Sequence, residues 1–600
     1  MTNLERLQTE LGRLGYQGMV VPSTDEYLSE FAPPSARRLE WATNFRGSTG
    51  LAVVLQAGAA LFLDGRYKVQ GEVDCTDLPI DVLDADEVTR QAWLGRHLKI
   101  GDRLAVDTRL QSQPDIQRIT QAAASRGIEV HELHETNPID RLWGSARPTS
   151  ISSKIFDYSP HYAGVAADEK CRQVKELMAA AGMECQLVAD PEDVAWLLNI
   201  RTNDSEKLTP SGWHVVPVPM CRALIEASGE VIWFVDRSRL EAPLAKRIES
   251  AVRVVEPSQF ERFLTERCRG KIVGANLART PFQFAEIVAR VGTLRDDNSL
   301  VHRRWRKHPN EVERAREGHF VDGQAVIRFL AWLQRTVLRH RVTEIEAGDK
   351  LTEFRGELAE YRGLSMPLMS ASGVSGSLPH YIPSQHSNRT LNDHPIYWMD
   401  SGAQYYGCST DNTVCFAVSR PQPRHVRAHT LVVKGLIALS EARFPVGTLS
   451  SQLDALARQP LWQAGMDYDH GTSHGVGNFM NIHEGPMITK RPNHPWVAPL
   501  DAGMILSNEP AFYAPGDFGV RVESHLATVE SQYAGYLEFE TISRLPIDPQ
   551  LMDASLLTRS ERHWLALYHG KIAQGYQGRF DPQTAQWLQA LVDAYVAMDQ

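Results

Sequence analysis

Residues 470–477 read HGTSHGVG, a stretch rich in glycine that carries two histidines. Glycine has no side chain, so three glycines in eight residues let the backbone approach a bound group closely. His470 and His474 present two imidazoles from the same loop. The stretch therefore predicts one wall of a ligand-binding or metal-binding site.

Two aspartates precede this loop in the chain. An apolar run over residues 396–399 ends on Asp400, and a buried carboxylate is costly unless it is paired or bound to a metal. Asp411 follows after a glycine-containing turn, so a hairpin would place the two carboxylates side by side. Because ionised carboxylates repel each other at close range, a divalent cation between them would remove that penalty.

Two glutamates follow the loop. Glu509 comes after an apolar run, and Glu523 ends the alternating stretch GVRVE, in which Arg521 and Glu523 share one face of a strand. Together with His474, the four carboxylates form an oxygen-rich set that suits two divalent ions, with Mn²⁺ favoured and Co²⁺ or Zn²⁺ as substitutes. Two such ions, about 3.5–4 Å apart, can hold a bridging hydroxide and polarise a scissile carbonyl. This set predicts hydrolysis without a protein nucleophile.

The N-terminal half contains one local pattern twice. Each copy has an amphipathic helix, a short strand and an acidic cap signal for a second helix. The first copy covers residues 4–14, 18–21 and 22–25, and the second covers 174–181, 185–188 and 189–192. A hairpin is also predicted over residues 51–55 and 59–63. The repeat indicates two related α/β domains, at residues 1–152 and 153–304.

A third region, residues 305–600, has a different pattern of predicted helices and strands. A helix is predicted to begin at Pro309, and short strands with glycine-rich turns follow after Leu364. The tail from Leu556 to Met598 reads as two helices that pack onto the body or a partner. Their apolar clusters are Trp564, Leu565 and Leu567 in one and Trp587, Leu588 and Leu591 in the other. The predicted fold class is therefore α/β and α+β, with two N-terminal α/β domains before a third domain that has a helical extension.

Composition narrows the classes of function. The chain has 600 residues and a net charge of -10, which argues against nucleic acid as a partner. No run of about 18 apolar residues predicts a membrane helix, and residues 1–14 do not read as a signal peptide. Seven scattered cysteines without a CxxC pair suit reduced thiols in the cytoplasm. A cytoplasmic protein without membrane or nucleic-acid partners is expected.

Several motifs together resemble the pita-bread metallopeptidases, and the most similar family is the three-domain cytosolic aminopeptidase P (Xaa-Pro aminopeptidase). In the third region they are MDSGAQY at 399–405, HGTSHGVG at 470–477, HEGP at 483–486, NEP at 508–510 and RVE at 521–523, with HYIP at 380–383 and FET at 539–541. In the N-terminal half they are NFRGSTG at 44–50, DGRY at 64–67 and DVAWLLNIR at 193–201. The resemblance implies two creatinase N-terminal-like domains followed by a pita-bread catalytic domain.

The resemblance also implies a role for each predicted ligand. Asp400 and Asp411 would bind one metal ion, Asp411, His474 and Glu509 would contribute to the other, and Glu523 would bridge them. The bridging hydroxide would attack the carbonyl of the first residue of a peptide whose second residue is proline. Glu509 would act as the acid and base.

Further residues are expected at the substrate. His380 and His483 would orient the peptide and stabilise the oxyanion. His470 would shape the proline subsite, where Tyr513 is a further contact, and Arg521 would hold the bridging carboxylate from behind. A homodimer is expected by analogy, with the C-terminal helices as a plausible interface.

Three positions depart from the family pattern, and several rival functions are also compatible with the sequence. Val414 stands where the family has an arginine, and Ser473 and Ala511 stand where it has glycines. A prolidase would cut only Xaa-Pro dipeptides, methionine aminopeptidases resemble the third region alone, and creatinase-like enzymes use the fold without the full metal set. A catalytically silent pita-bread binding protein would have lost ligands that this chain retains.

Overall fold

The computed structural model describes residues 1–133, 136–149, 153–203, 216–248 and 251–600. These residues pack into two compact units, one formed mainly by the chain up to Arg304 and the other by Trp305–Gln600 with His161–Gly164. The expected boundary after residue 152 adjoins residues 150–152, which lie outside the described residues. The division into domains at 1–152, 153–304 and 305–600 stays a prediction.

The first unit contains two six-stranded sheets. The first sheet is built from β1 (Gly18–Pro22), β2 (Leu51–Leu55), β3 (Ala59–Leu63), β4 (Asp81–Asp84), β5 (Arg103–Asp107) and β6 (Glu129–Leu133). The second is built from β8 (Cys185–Val188), β10 (Arg222–Glu226), β11 (Val231–Phe234), β12 (Arg253–Val255), β13 (Ile272–Ala275) and β14 (Thr293–Asp296). The short strands β7 (Ile155–Asp157) and β9 (Ile200–Thr202) pair with each other.

The two sheets share one topology. Their strand orders are β4-β3-β2-β1-β5-β6 and β12-β11-β10-β8-β13-β14. In each sheet the first strand in sequence has an antiparallel neighbour on one side and a parallel neighbour on the other. The remaining pairs also match in direction. The repeat seen in the sequence is therefore a repeat of the whole sheet.

Helices complete the N-terminal half. They are α1 (Asn3–Leu14), α2 (Arg38–Thr43), α3 (Lys68–Asp74), α4 (Glu87–His97), α5 (Gln113–Ala124), α6 (Pro138–Trp143), α7 (Pro160–Ala163), α8 (Ala167–Ala180), α9 (Pro191–Leu198), α10 (Ala242–Ile248), α11 (Phe260–Arg267), α12 (Phe282–Val291) and α13 (Ser299–Trp305). Helix α1 buries the leucines of its apolar face, and Thr2 with Glu5 forms its capping box.

One of the two acidic cap signals is wrong. Asp190 does cap α9, because its carboxylate accepts a hydrogen bond from the backbone N–H of Glu192. Asp25 instead closes a turn, since its Oδ1 accepts from the backbone N–H groups of Tyr27 and Ser29. The next helix begins only at Arg38. An aspartate satisfies amides in an isolated turn as well as at a helix start, so the local sequence does not separate the two.

The strands described in the second unit form four sheets. The strands are β15 (Tyr361–Leu364), β16 (Met369–Ser372), β17 (Ile396–Ser401), β18 (Ala403–Tyr405), β19 (Cys408–Ser409), β20 (Asn412–Ala417), β21 (Arg443–Pro445), β22 (Ile505–Asn508), β23 (Ala511–Ala514), β24 (Phe518–Arg521), β25 (Ser524–Glu530) and β26 (Tyr536–Thr541). Their orders are β15-β18-β19, β16-β17-β20, β21-β26-β25-β22 and β23-β24. The helices are α14 (Pro309–Thr336), α15 (Glu344–Gly356), α16 (Pro423–Ser440), α17 (Asp454–Trp462), α18 (Arg559–Gly575) and α19 (Pro582–Asp599).

The β16-β17-β20 sheet is buried on both faces. Ile396, Trp398 and Cys415 pack into a core cluster that includes residues of α16. Tyr397 and Phe416, which point the other way, pack into a cluster with residues of α14. A strand enclosed on both sides holds its side chains firmly, and Asp400 lies in the middle strand of this sheet.

The C-terminal helices pack onto the same unit, as expected. Leu565 and Leu588 are buried in the large core cluster, and Trp564 stacks on Tyr568. Leu567 is an exception, because it is 53% exposed. The seven cysteines are buried free thiols. Among the described residues, no helix combines the length and apolar character needed to cross a membrane.

Asp548 provides a test of the packing between α14 and β20. Its carboxylate is fully buried and accepts hydrogen bonds from the backbone N–H groups of Ala417 and Gln550 and from the amide of Gln334. Burial raises the pKa of Asp548 from 3.8 to about 6. The folded state therefore holds this proton to higher pH than the unfolded state, so stability falls as pH rises from about 4 to about 6.

We expect Asp548→Asn to lose this pH dependence. A gap of about two pH units between folded and unfolded pKa corresponds to about 3 kcal/mol. The variant should therefore be more destabilised relative to wild type at pH 4.5 than at pH 7, with a difference of about 2 kcal/mol between the two deficits. Chemical denaturation of both proteins in chelator at the two pH values measures the difference. Asp581→Asn, at the exposed cap of α19, is the control; an unchanged deficit for Asp548→Asn would contradict the prediction.

Candidate metal centre

The second unit brings the five predicted ligands together from separate parts of the chain. Asp400 lies in β17, Asp411 directly precedes β20, and Glu509 directly follows β22. Ligand atoms of Asp400, Asp411 and Glu523 lie within 4.8 Å of one another, and so do those of His474, Glu509 and Glu523. Glu523 belongs to both groups, as a bridging carboxylate would.

His474 is oriented as a metal-binding imidazole. Its Nδ1 lies 2.9 Å from the carbonyl oxygen of Gly475, which places the ring proton on Nδ1. Its Nε2 then carries the lone pair and lies 3.5 Å from Asp411 Oδ2 and 3.5 Å from Glu509 Oε1. A backbone acceptor behind the ring is the usual support of a histidine ligand.

Three carboxylate oxygens at this centre lack a hydrogen-bond donor among the described residues. They are Oδ1 of Asp400, Oδ1 of Asp411 and Oε1 of Glu523, and all three are buried. Burying such atoms without a partner costs free energy, and bound cations would supply the missing partners. Four carboxylates and one imidazole also match the ligand preference of Mn²⁺, Co²⁺ and Zn²⁺, so the residues fit a pair of divalent ions.

The acid groups of the centre respond differently to their surroundings. Burial, followed by the charges of neighbouring carboxylates, raises the pKa of Asp411 and that of Glu523 well above their usual values. Burial also opposes ionisation of Glu509, but nearby basic groups, His474 first and Arg521 among them, bring the pKa of Glu509 below its usual value. Of these three carboxylates, Glu509 is therefore the one best stabilised in its ionised form.

Arg521 contacts one predicted ligand directly and another through a threonine hydroxyl. Its Nη2 donates to Asp400 Oδ2 at 2.6 Å, and its Nε donates to the hydroxyl of Thr413 at 2.9 Å. That hydroxyl in turn donates to Glu523 Oε2 at 2.9 Å. The expected contact with the bridging carboxylate is thus made through Thr413, whereas the direct partner of Arg521 is Asp400.

Of the other predicted site residues, His483 and His470 lie at the centre, and His380 adjoins a residue that contacts Arg521. The ring of His483 lies 4.5 Å from that of His474, centroid to centroid. His470 lies between Glu509, whose Oε2 is 3.9 Å from its Nδ1, and Tyr513, whose hydroxyl is 3.1 Å from its Nε2. Burial lowers the pKa of His470 to about 4, so this ring is neutral at physiological pH. His380 follows Pro379, whose carbonyl accepts a hydrogen bond from Arg521.

Sequence reasoning missed the groups that hold the His483 loop. Gln404 donates to the carbonyl of Met480 at 2.7 Å, and Ser409 donates to Gln404 and accepts from the backbone N–H of Met480. Both polar residues lie between Asp400 and Asp411 on the β18–β19 hairpin. The segment that carries the first two ligands therefore also holds the loop that ends at His483, which polar residues inside an apolar hairpin could have signalled.

Two backbone segments meet beside His474. Gly475 and Glu484 exchange backbone hydrogen bonds of 2.8 and 3.0 Å. A Cβ atom on Gly475 would lie 2.2 Å from the carbonyl oxygen of Gly485, so only glycine fits there. The close approach predicted for this glycine-rich loop is therefore an approach to the HEGP segment.

The three departures from the family pattern have different surroundings. Val414 points away from the metal centre into the core cluster beside α14, because Thr413 occupies the opposite face of β20. Ser473 is buried next to His474. Ala511 is buried and pairs with Arg521 across the β23–β24 ladder. The missing arginine therefore changes the packing against α14 rather than a ligand.

Comparison with known proteins gives matches along nearly the whole chain. The family model for metallopeptidase family M24 matches residues 313–530, and its C-terminal region matches 535–594. The creatinase/prolidase N-terminal domain matches twice, at residues 3–138 and 146–313. The predicted fold class is thereby confirmed.

Two relatives and one solved structure are also similar to this chain over nearly its whole length. A probable Xaa-Pro aminopeptidase P of Laccaria bicolor is 32% identical, covering 98% of this chain and 92% of its own. One from Paracoccidioides lutzii is also 32% identical, over 95% of each chain. The crystal structure of an X-prolyl aminopeptidase from Caenorhabditis elegans, a cytosolic enzyme with a di-nuclear active site, aligns with a TM-score of 0.91 at 27% identity over 99% of each chain.

The fold and the acidic centre define a metallopeptidase of the pita-bread class, in which the second unit contains the acidic centre. Identity of 32% over almost the full length narrows this class further. The chain belongs to the Xaa-Pro aminopeptidase P family. The prediction of a hydrolase, a metallo-exopeptidase, is confirmed.

Proposed function

We propose that this protein removes the first residue from peptides whose second residue is proline, with two divalent metal ions held by the five ligands. These ligands are Asp400, Asp411, His474, Glu509 and Glu523. The observation that carries the proposal is the convergence of both ligand groups on Glu523, together with the three buried carboxylate oxygens that have no donor in the described part of the chain. The near full-length similarity to Xaa-Pro aminopeptidases supports the choice of substrate.

When bound, the two ions supply Lewis acidity that activates water and polarises the scissile carbonyl. Glu509 acts as the proton carrier because its neighbours favour its ionised form. Ser507 donates a hydrogen bond to Glu509 Oε1 at 3.0 Å, which leaves Oε2 to accept the proton of the attacking water. The same oxygen then delivers that proton to the leaving proline nitrogen.

The histidines bind and orient the peptide. His380 and His483 are half-buried and donate to the peptide and to the oxyanion that forms at the carbonyl. His470 is neutral and, with Tyr513, offers a ring surface for the proline side chain. Because the bond before proline is a tertiary amide, a subsite shaped for the ring supplies the positioning that the reaction needs.

Several finer features belong to the same proposal. The oxygen-rich ligand set favours Mn²⁺ as the native ion, with Co²⁺ or Zn²⁺ able to replace it. The protein acts in the cytoplasm as a homodimer, without nucleic-acid or membrane partners. The similarity to a cytosolic C. elegans enzyme supports this placement.

Metal removal tests the proposal directly. Chelator should abolish release of the first residue from an Xaa-Pro-Xaa tripeptide, and Mn²⁺ should restore it. Metal analysis of the active protein should give about two ions per chain, because five ligands with a bridging carboxylate serve a dinuclear site. An Xaa-Ala-Xaa tripeptide is the control and should be cut poorly. Cleavage of Xaa-Pro dipeptides alone would indicate a prolidase, and no metal with no cleavage would indicate a silent binding protein.

A further inference from the structure

Glu344 is a buried carboxylate outside the metal centre whose partners all belong to one segment. It is the first residue of α15, and its side chain is fully buried. Its Oε1 accepts from the backbone N–H of Ser372 at 2.8 Å and from the Ser372 hydroxyl at 3.0 Å. Its Oε2 accepts from the hydroxyl of Tyr381 at 2.9 Å and from the backbone N–H of Arg389 at 3.0 Å.

This carboxylate is held by neutral donors alone. Among the described residues, no basic side chain forms an ion pair with Glu344. Four hydrogen bonds, two to each oxygen, and the positive end of α15 take the place of a cation. A buried acceptor that has four donors is expensive to disturb, because each donor left without a partner costs about 1–3 kcal/mol. Glu344 therefore fixes both ends and the middle of the segment 372–389.

The segment 372–389 contains His380 and is also held by two hydrogen bonds that do not involve Glu344. Arg521 donates to the carbonyl of Pro379 at 2.9 Å, and the indole of Trp398 donates to the carbonyl of Gly376 at 3.0 Å. Glu344 holds Tyr381, the residue directly after His380. His380 therefore lies between one anchor that belongs to the metal centre and one that does not.

We propose that Glu344 is a positioning residue for the reaction, which sets the place of His380 by holding Tyr381 and the two ends of its segment. The inference rests on the proposed role of His380 at the substrate. Glu344 touches neither a ligand nor the reacting atoms, and it acts only through the segment it binds. A displacement of about 1 Å at a reacting group costs on the order of 100-fold in rate, so loosening the segment has a measurable effect.

The test uses Glu344→Gln, which keeps the size of the side chain but replaces an acceptor oxygen with a donor amide. Cleavage of an Xaa-Pro-Xaa tripeptide should fall by about 10–100-fold in kcat/KM, in the range typical of residues that orient a reacting group. Metal content should stay at the wild-type value. Tyr381→Phe removes one of the four hydrogen bonds and should cause a smaller loss in the same direction.

Asp548→Asn is the matched control. Asp548 is also fully buried and bonded by neutral donors, but these donors lie in β20, in α14 and at Gln550. It should lower stability without lowering kcat/KM. If Glu344→Gln loses stability only, as this control does, the inference is overturned.

A double variant separates a positioning role from general loosening. Because Glu344 acts through His380, adding Glu344→Gln to His380→Ala should cause little further loss, whereas independent effects would multiply. Multiplied losses would overturn the inference. A His380→Ala variant with wild-type kcat/KM would instead contradict the proposed role of His380. Should Glu344→Gln fail to fold, the same cycle with Tyr381→Phe decides the question.

Discussion

Glu523→Gln will lower kcat by at least about 1,000-fold, since losing several kcal/mol of metal-derived stabilisation corresponds to this factor. Glu523 is the carboxylate shared by both ligand groups, and its Oε1 is buried without a donor among the described residues. An amide of the same shape offers one weaker acceptor in place of two charged ones. Metal content should fall from about two ions per chain toward one or none, because a bridging position is lost.

The loss should not result from unfolding. In the metal-free protein, burial and the charges of Asp411 and Asp400 oppose ionisation of Glu523. A neutral amide relieves that repulsion, so the metal-free variant should be at least as stable as metal-free wild type near pH 7. Glu530→Gln, at the exposed end of β25, is the control and should keep full activity. Activity measurements, metal analysis and thermal unfolding in chelator check all three points, and wild-type kcat with two bound ions would contradict the assignment of Glu523.

The candidate ligands Asp400 and Glu523 could be picked out from the sequence because each is a carboxylate in an otherwise apolar or buried pattern. Asp400 interrupts an apolar strand, and Glu523 alternates with buried valines, so the sequence itself marks carboxylates in places where burial is costly. The sheet repeat was visible for a related reason, since helix and strand periodicities recur in the same order. These signals are local, and they survive without knowledge of the tertiary structure.

The supporting residues could not be predicted in the same way. Thr413, Gln404 and Glu344 are ordinary polar residues in their local sequence, and their roles depend on segments far away in the chain. Glu344 stands at a helix start, where a glutamate is expected for the helix alone. Asp25 shows the converse, because a local signal for a helix cap was satisfied by a turn. Long-range partners, rather than residue type, decide these cases.

Arg521→Met should lower kcat/KM by about 100-fold, at the upper end of the range for groups that support metal ligands. Arg521 is almost fully buried and donates to Asp400, Thr413 and the carbonyl of Pro379. Methionine keeps the bulk of the side chain but leaves Asp400 without its cation, so Mn²⁺ affinity should fall. Arg521→Lys should restore little of the lost kcat/KM, because a single ammonium group does not replace the planar guanidinium group with its several donors.

Arg38→Met is the matched control for this substitution. Arg38 is fully buried in the first unit and pairs with the half-buried carboxylates of Asp140 and Glu26, so its loss also removes a cation from two carboxylates. It should reduce stability without changing Mn²⁺ affinity or kcat. High Mn²⁺ should refill the metal centre of Arg521→Met but restore only part of its activity, because the contact with Pro379 that helps to hold His380 stays broken. Full recovery would mean that Arg521 acts through metal affinity alone.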